Sequence, residues 1–166
     1  MATIKFQGKD LNTSGELPTV GSQAPDFSLV SSRLKNVSLA SYAGKRKVLS
    51  IVPSLDTPTC AASTRLFNQK ADAMDNTVVL VISADLPFAQ VRFCESEGLK
   101  DVTPLSTFRS DFAKEYGVEI TDTVLAGLTA RAVVVIDESD KVIYNELVAE
   151  VAEEPNYESV LDVLKG

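Results

Sequence analysis

Apolar residues along this chain are grouped in short runs, which are separated by longer segments of mixed polarity. Three of the runs are rich in Val, Ile and Leu, which is typical of strands buried on both faces of a sheet. They lie at residues 47–52, 77–83 and 131–136, and a shorter strand is predicted at residues 102–105. The remaining pattern predicts helices at residues 58–74, 87–97 and 110–116, and a last helix after Pro155.

The order of these elements predicts how the chain folds. Strands that alternate with helices pack as a parallel sheet with helices on its faces. The last apolar run leads through a turn at residues 137–140 into a strand at residues 141–147, and this closing hairpin makes the sheet mixed. A short pair of strands is expected between residues 24 and 39, and an N-terminal hairpin from strands at residues 3–7 and 11–14. The predicted class is therefore α/β, with a mixed central β-sheet flanked by helices and an extra N-terminal β-hairpin.

Length and composition limit the kind of protein. A chain of 166 residues, 45% hydrophobic and 23% charged, suits one domain over residues 1–166 with a full core. No apolar run approaches the length of a membrane span, and the first residues lack the apolar centre of a secretion signal. We therefore expect a soluble, cytoplasmic protein without a membrane partner. The net charge of −7 argues against nucleic acid as a partner.

The chain contains no histidine, and this removes several kinds of site. Cys-His and Ser-His nucleophile pairs, histidine metal ligands and histidine proton shuttles are excluded. The two cysteines, Cys60 and Cys94, cannot complete a zinc site alone. A metal site made of carboxylates stays open, although no calcium-loop spacing is present. We expect neither a metal nor a resident cofactor.

Cys60 lies where a reactive thiol is plausible on physical grounds. It follows the strand at residues 47–52, a good N-cap in Thr57 and a proline, Pro58, at the predicted first helical position. Cys60 then falls in the first helical turn, where the helix dipole favours a thiolate. The alternative is a buried structural cysteine, which is the commoner role of a lone Cys. A mixed sheet with a cysteine at the start of its first crossover helix is a thioredoxin-like arrangement.

Several motifs resemble a known family. Pro53, Thr57 and Cys60 match the P-x-x-x-T/S-x-x-C signature of peroxiredoxins. Longer stretches resemble the bacterial thiol peroxidases, which are atypical two-cysteine peroxiredoxins, and the likeness runs from the N-terminal hairpin to the last helix. These stretches are residues 56–63, 82–90, 92–94 and 130–137.

The resemblance implies a role for each motif residue. Cys60 corresponds to the peroxidatic cysteine, which attacks a hydroperoxide and becomes a sulfenic acid. Thr57 is expected to hydrogen-bond the thiolate and the peroxide, and Pro53 to shield the site. Arg131 matches the active-site arginine of the family. Taken alone, Thr57 could be a plain cap, Pro53 a strand end and Arg131 a surface charge at the end of a strand.

The resemblance also makes Cys94 the resolving cysteine, although on periodicity alone it could be a packed core residue. Cys94 would form an intramolecular disulfide with Cys60, and thioredoxin would reduce that disulfide. The implied substrates are hydrogen peroxide and alkyl or lipid hydroperoxides, and the implied assembly is a homodimer. Two other functions stay open, a redox switch that signals through the same disulfide and a thioredoxin-like binding module.

Overall fold

The computed structural model describes residues 1–165, and its elements follow the predicted order closely. The strands are β1 (Thr3–Phe6), β2 (Lys9–Asn12), β3 (Leu29–Val30), β4 (Asn36–Val37), β5 (Arg46–Ile51), β6 (Thr77–Ser83), β7 (Thr103–Ser106), β8 (Ala132–Ile136) and β9 (Val142–Leu147). The α-helices are α1 (Pro58–Lys70), α2 (Pro87–Glu97), α3 (Phe112–Glu115) and α4 (Tyr157–Lys165). Short 3₁₀ helices lie at Leu39–Tyr42 and Ala71–Ala73.

Seven of the strands form one mixed sheet in the order β4-β3-β7-β6-β5-β8-β9. Strands β5, β6 and β7 are parallel to one another. Strand β8 pairs antiparallel with β5, and β9 pairs antiparallel with β8. The hairpin of β1 and β2 is a separate two-stranded sheet. The predicted mixed sheet, flanking helices and N-terminal hairpin are therefore confirmed.

The sheet separates two clusters of buried apolar side chains because neighbouring residues of a strand point to opposite faces. In β6, Val79 and Val81 pack with Phe67 of α1 and Val160 of α4. Leu80 and Ile82 belong to the other cluster, which also contains side chains of α3 and of the N-terminal hairpin. Both faces of the central strands are covered, which explains why their sequences are almost continuously apolar. Within residues 1–165 no helix combines the length and the hydrophobicity that crossing a bilayer requires.

The largest differences from the predicted boundaries are in three elements, the second strand and the first and third helices. The first hairpin turns at Gln7 and Gly8, both with positive φ, so β2 begins at Lys9 rather than at residue 11; a two-residue turn of this kind matches the twist of the paired strands. Helix α1 ends at Lys70, and the last predicted turn is 3₁₀, a tighter form that is frequent at helix ends. Helix α3 is only the central part of the predicted 110–116 helix.

The topology sets which loops meet at the site. Because β5 and β6 are parallel neighbours, the loops that lead from them into α1 and α2 leave the same edge of the sheet. Strand β8 is antiparallel to β5, and Ala132 pairs with Ile51, the last residue of β5. The residue before β8, Arg131, therefore lies next to the loop that enters α1.

Candidate active site

Cys60 is fully buried in the first turn of α1, beside the guanidinium group of Arg131. Nη2 of Arg131 donates a hydrogen bond to Sγ of Cys60 over 3.1 Å. The two residues are 71 positions apart in sequence, and the pairing of β5 with β8 brings them together. The sulfur therefore has a hydrogen-bond donor that carries a full positive charge.

Arg131 is held rigidly although it carries a charge. Its side chain is 2% exposed, and Nε donates to the backbone carbonyl of Val151 at 2.9 Å. Nη1 is buried and has no hydrogen-bond partner within residues 1–165. Nη1 is therefore the one nitrogen of this guanidinium that no group among residues 1–165 satisfies.

Thr57 and Pro53 border the same place. Thr57 has the extended backbone of an N-cap residue, but its side chain does not cap the helix. Its hydroxyl instead donates to the carbonyl of Ser54 at 2.9 Å, so the expected contact with the thiol requires this hydroxyl to rotate. Pro53 is buried in the loop before α1.

A cavity of about 260 Å³ opens over Arg131 and the first residues of α1. Its wall includes Pro53, Thr57 and Arg131, together with apolar side chains that come from distant parts of the chain. These are Phe6, Leu125, Leu128 and Val151. The site is therefore a mostly apolar pocket in which Arg131 places a positive charge.

The first turn of α1 carries unusual hydrogen bonds. The hydroxyls of Ser63 and Thr64 both donate to the carbonyl oxygen of Cys60, at 3.1 and 2.8 Å. Side-chain donors of this kind compete with the backbone ladder of a helix and often bend it. The carbonyl of Cys60 therefore accepts two side-chain hydrogen bonds from the next turn of α1.

Cys94 lies away from this cavity. It is half-buried on α2 and lines a separate cavity of about 340 Å³ with Val91, Leu99 and Pro104 among others. Both cysteines are free thiols. Burial raises the pKa of the Cys94 thiol. The structure therefore brings together four of the five predicted site residues, Pro53, Thr57, Cys60 and Arg131, and leaves Cys94 apart.

Sequence reasoning missed residues that shape the pocket from a distance. Val151 anchors Arg131, and it lies on a segment that hydrogen-bonds to Lys5 of β1. Phe6 reaches the pocket from that same hairpin. No local pattern marks these residues, because their contacts depend on how remote segments pack.

Known proteins resemble this chain along almost its whole length. The model of the Redoxin family matches residues 19–161. A thiol peroxidase of Corynebacterium glutamicum is 48% identical over 164 residues, and one of Mycobacterium bovis is 51% identical over 164 residues; each alignment covers 99% of both chains. The crystal structure of a peroxiredoxin-like protein from Aquifex aeolicus superposes with a TM-score of 0.94 at 40% identity, covering 99% of this chain and 96% of that one.

The chain belongs to the thiol peroxidases, within the redoxin family. It is thus a peroxiredoxin, an oxidoreductase that acts on peroxides. The resemblance seen in the sequence motifs and the thioredoxin-like fold are both confirmed. In this peroxiredoxin the buried thiol of Cys60 lies beside the cation of Arg131, and the mostly apolar pocket opens over that cation.

Proposed function

We propose that the chain reduces hydrogen peroxide and organic hydroperoxides through the thiol of Cys60. The observation that carries this proposal is the 3.1 Å hydrogen bond from Arg131 to Cys60 Sγ. The Cys60 thiolate attacks the terminal oxygen of the hydroperoxide, and a sulfur–oxygen bond forms as the oxygen–oxygen bond breaks. Cys60 becomes a sulfenic acid, and the leaving oxygen takes up a proton to give water or an alcohol.

Arg131 assists this step in two ways. Its positive charge lies beside the attacking sulfur, and its orientation is fixed by the bond to the Val151 carbonyl. The unpaired Nη1 can donate to the peroxide oxygen that gains charge in the transition state. Thr57 donates a further hydrogen bond to the peroxide once its hydroxyl turns away from the carbonyl of Ser54. Pro53 covers the side of the pocket that is formed by the loop before α1.

The pocket supports organic substrates as well as hydrogen peroxide. Phe6, Leu125 and Leu128 offer apolar surface next to Arg131. An alkyl or lipid hydroperoxide can bury its chain against these side chains while its peroxide group meets the cation.

Cys94 serves as the resolving cysteine in this proposal. Its thiolate attacks the sulfur of the Cys60 sulfenic acid, water leaves, and a Cys60–Cys94 disulfide forms. A disulfide requires Cα atoms within about 7 Å. Cys94 lines a cavity whose wall does not include Cys60, and Cys60 is fully buried in α1. We expect the first turn of α1, helix α2 or both to move before the two sulfurs bond. Thioredoxin then reduces the disulfide by thiol exchange.

The homodimer and the cytoplasmic location stay predictions.

Peroxide turnover with thioredoxin, thioredoxin reductase and NADPH tests the proposed enzyme. We expect NADPH oxidation to continue through many equivalents of peroxide. A redox switch would instead react once and then stop, and a binding module would be indifferent both to peroxide and to Cys60→Ser. Either of these results would contradict the proposal.

The resolving step should depend on pH in a particular direction. Because burial raises the pKa of Cys94 and only its thiolate attacks, the protein near neutral pH holds mainly the unreactive thiol. Raising the pH increases the thiolate fraction, so disulfide formation after one equivalent of peroxide should accelerate by about tenfold per pH unit, without a plateau below about pH 8.5, the ordinary cysteine pKa.

Rapid quenching with an alkylating reagent and mass spectrometry of the disulfide measure this rate. The Cys94→Ser variant gives the pH dependence of the peroxide step alone, which is the control. A plateau at lower pH would show that the thiol of Cys94 is not the group that limits resolution.

A further inference from the structure

The carboxylate of Asp85 joins the two loops that precede the cysteine-bearing helices. Asp85 lies between β6 and α2. Its Oδ1 accepts a hydrogen bond from the hydroxyl of Ser54 at 2.7 Å, and its Oδ2 accepts one from the backbone N–H of Leu55 at 2.8 Å. Ser54 and Leu55 belong to the loop that leads into α1 and Cys60. We call the contact between Asp85 and these two residues the loop latch.

The loop latch continues into the helix that carries Cys94. The hydroxyl of Ser83 donates to Oδ2 of Asp85 at 2.7 Å and accepts a bond from Nε2 of Gln90 at 3.0 Å. Gln90 is fully buried on α2, four residues before Cys94. Its Nε2 also donates to the carbonyl of Leu105 in β7 at 2.8 Å. Hydrogen bonds therefore run without a break from the loop before Cys60 to the helix of Cys94.

The loop latch depends on the relative position of the two loops. Its bonds are short and involve a charged acceptor, a combination stronger than a hydrogen bond between neutral groups. Asp85 is only half-buried, so water can replace the protein donors when the loops separate. A contact of this kind stabilises one arrangement of two segments and can be released without burying an unpaired charge.

We propose that Asp85 is a positioning residue that holds the loop before Cys60 in the arrangement that reacts with peroxide, and that the loop latch opens before the disulfide forms. This inference rests on the proposed Cys60–Cys94 chemistry. While the loop latch is closed, Cys60 stays beside Arg131. Opening it frees the loop before α1 to move relative to α2, which the disulfide requires.

The variant Asp85→Asn tests the loop latch, because an amide keeps the shape of the carboxylate but offers one oxygen to three donors. We expect disulfide formation to accelerate about tenfold, the effect of losing one charge-assisted hydrogen bond. The reduction potential of the disulfide should become about 30 mV more negative, the equivalent of tenfold in the equilibrium constant, because only the reduced form loses a contact. The peroxide step, measured in a Cys94→Ser background, should not accelerate.

Two further variants separate positioning from general stability. Tyr116→Phe removes a hydrogen bond of 2.7 Å to the carbonyl of Pro25, and neither residue belongs to the loop latch. It destabilises the reduced and disulfide forms alike, so the potential and both rates should stay at the wild-type values. Ser54→Ala removes one arm of the loop latch and should change the disulfide rate and the potential in the same direction as Asp85→Asn. The two latch substitutions together should be less than additive, because they break one shared contact.

The outcomes distinguish the loop latch from the proposed function. Failure of the wild-type protein to form a Cys60–Cys94 disulfide would overturn the proposed function. It would also overturn the proposal that the loop latch opens before this disulfide forms. A wild-type disulfide together with an unchanged or slower disulfide rate in Asp85→Asn would overturn the loop latch alone. If Asp85→Asn does not fold, the Ser54→Ala variant tests the loop latch instead, because it leaves the carboxylate in place. The rate of disulfide formation and the reduction potential are then measured in that variant.

Discussion

Cys60→Ser should abolish peroxide reduction, whereas Cys94→Ser should still react once. A serine hydroxyl in place of the thiol has no activating base nearby in a chain without histidine, so it cannot attack the peroxide. Cys94→Ser keeps the thiol beside Arg131 and should consume one equivalent of peroxide. Its product is a sulfenic acid that dimedone traps, and without a resolving thiol it should not turn over with thioredoxin. Peroxide consumption and mass spectrometry of the trapped adduct measure both results.

The two cysteine variants control for each other, because each removes one sulfur from α1 or α2. Circular dichroism of both variants checks that the fold is retained. Normal turnover of Cys94→Ser with thioredoxin would remove Cys94 from the mechanism. Peroxide reduction by folded Cys60→Ser would move the chemistry to another residue.

Arg131→Lys should slow the reaction of Cys60 with peroxide by about tenfold or more, the cost of one charge-assisted bond. Lysine keeps the charge but loses the planar fork that reaches the Val151 carbonyl and Cys60 Sγ together. The remaining nitrogen of the guanidinium, Nη1, is the one that we propose donates to the peroxide oxygen. Single-turnover reaction in a Cys94→Ser background, followed by dimedone trapping, isolates this step.

Arg46→Lys is a matched control for this substitution. Arg46 also donates from its guanidinium to backbone carbonyls, those of Leu164 and Asp75, but it lies at the start of β5, at the opposite end of that strand from the site. The loss of these hydrogen bonds should lower the free energy of unfolding without changing the rate at which Cys60 reacts with peroxide. Equal rates in Arg131→Lys and the wild-type protein would reduce Arg131 to a buried structural charge.

The sequence by itself determined the elements whose signals are local. Helix α2 spans Pro87–Glu97 as predicted, because a proline opens it and Gly98 ends it in a left-handed conformation. Strand β6 spans Thr77–Ser83 as predicted, because its five central residues are all Val, Leu or Ile. The position of Cys60 in the first turn of α1 follows in the same way from Pro58. The motifs around these elements were also sufficient to indicate the family.

Only the tertiary structure decided which distant groups meet. Arg131 reaches Cys60 because β8 pairs antiparallel with β5, and no local pattern specifies that strand order. The anchoring of Arg131 by Val151 and the link from Asp85 to Ser54 have the same origin. Helix caps and hydrophobic periodicity depend on residues a few positions apart, whereas a site depends on contacts between segments that the chain order leaves undetermined.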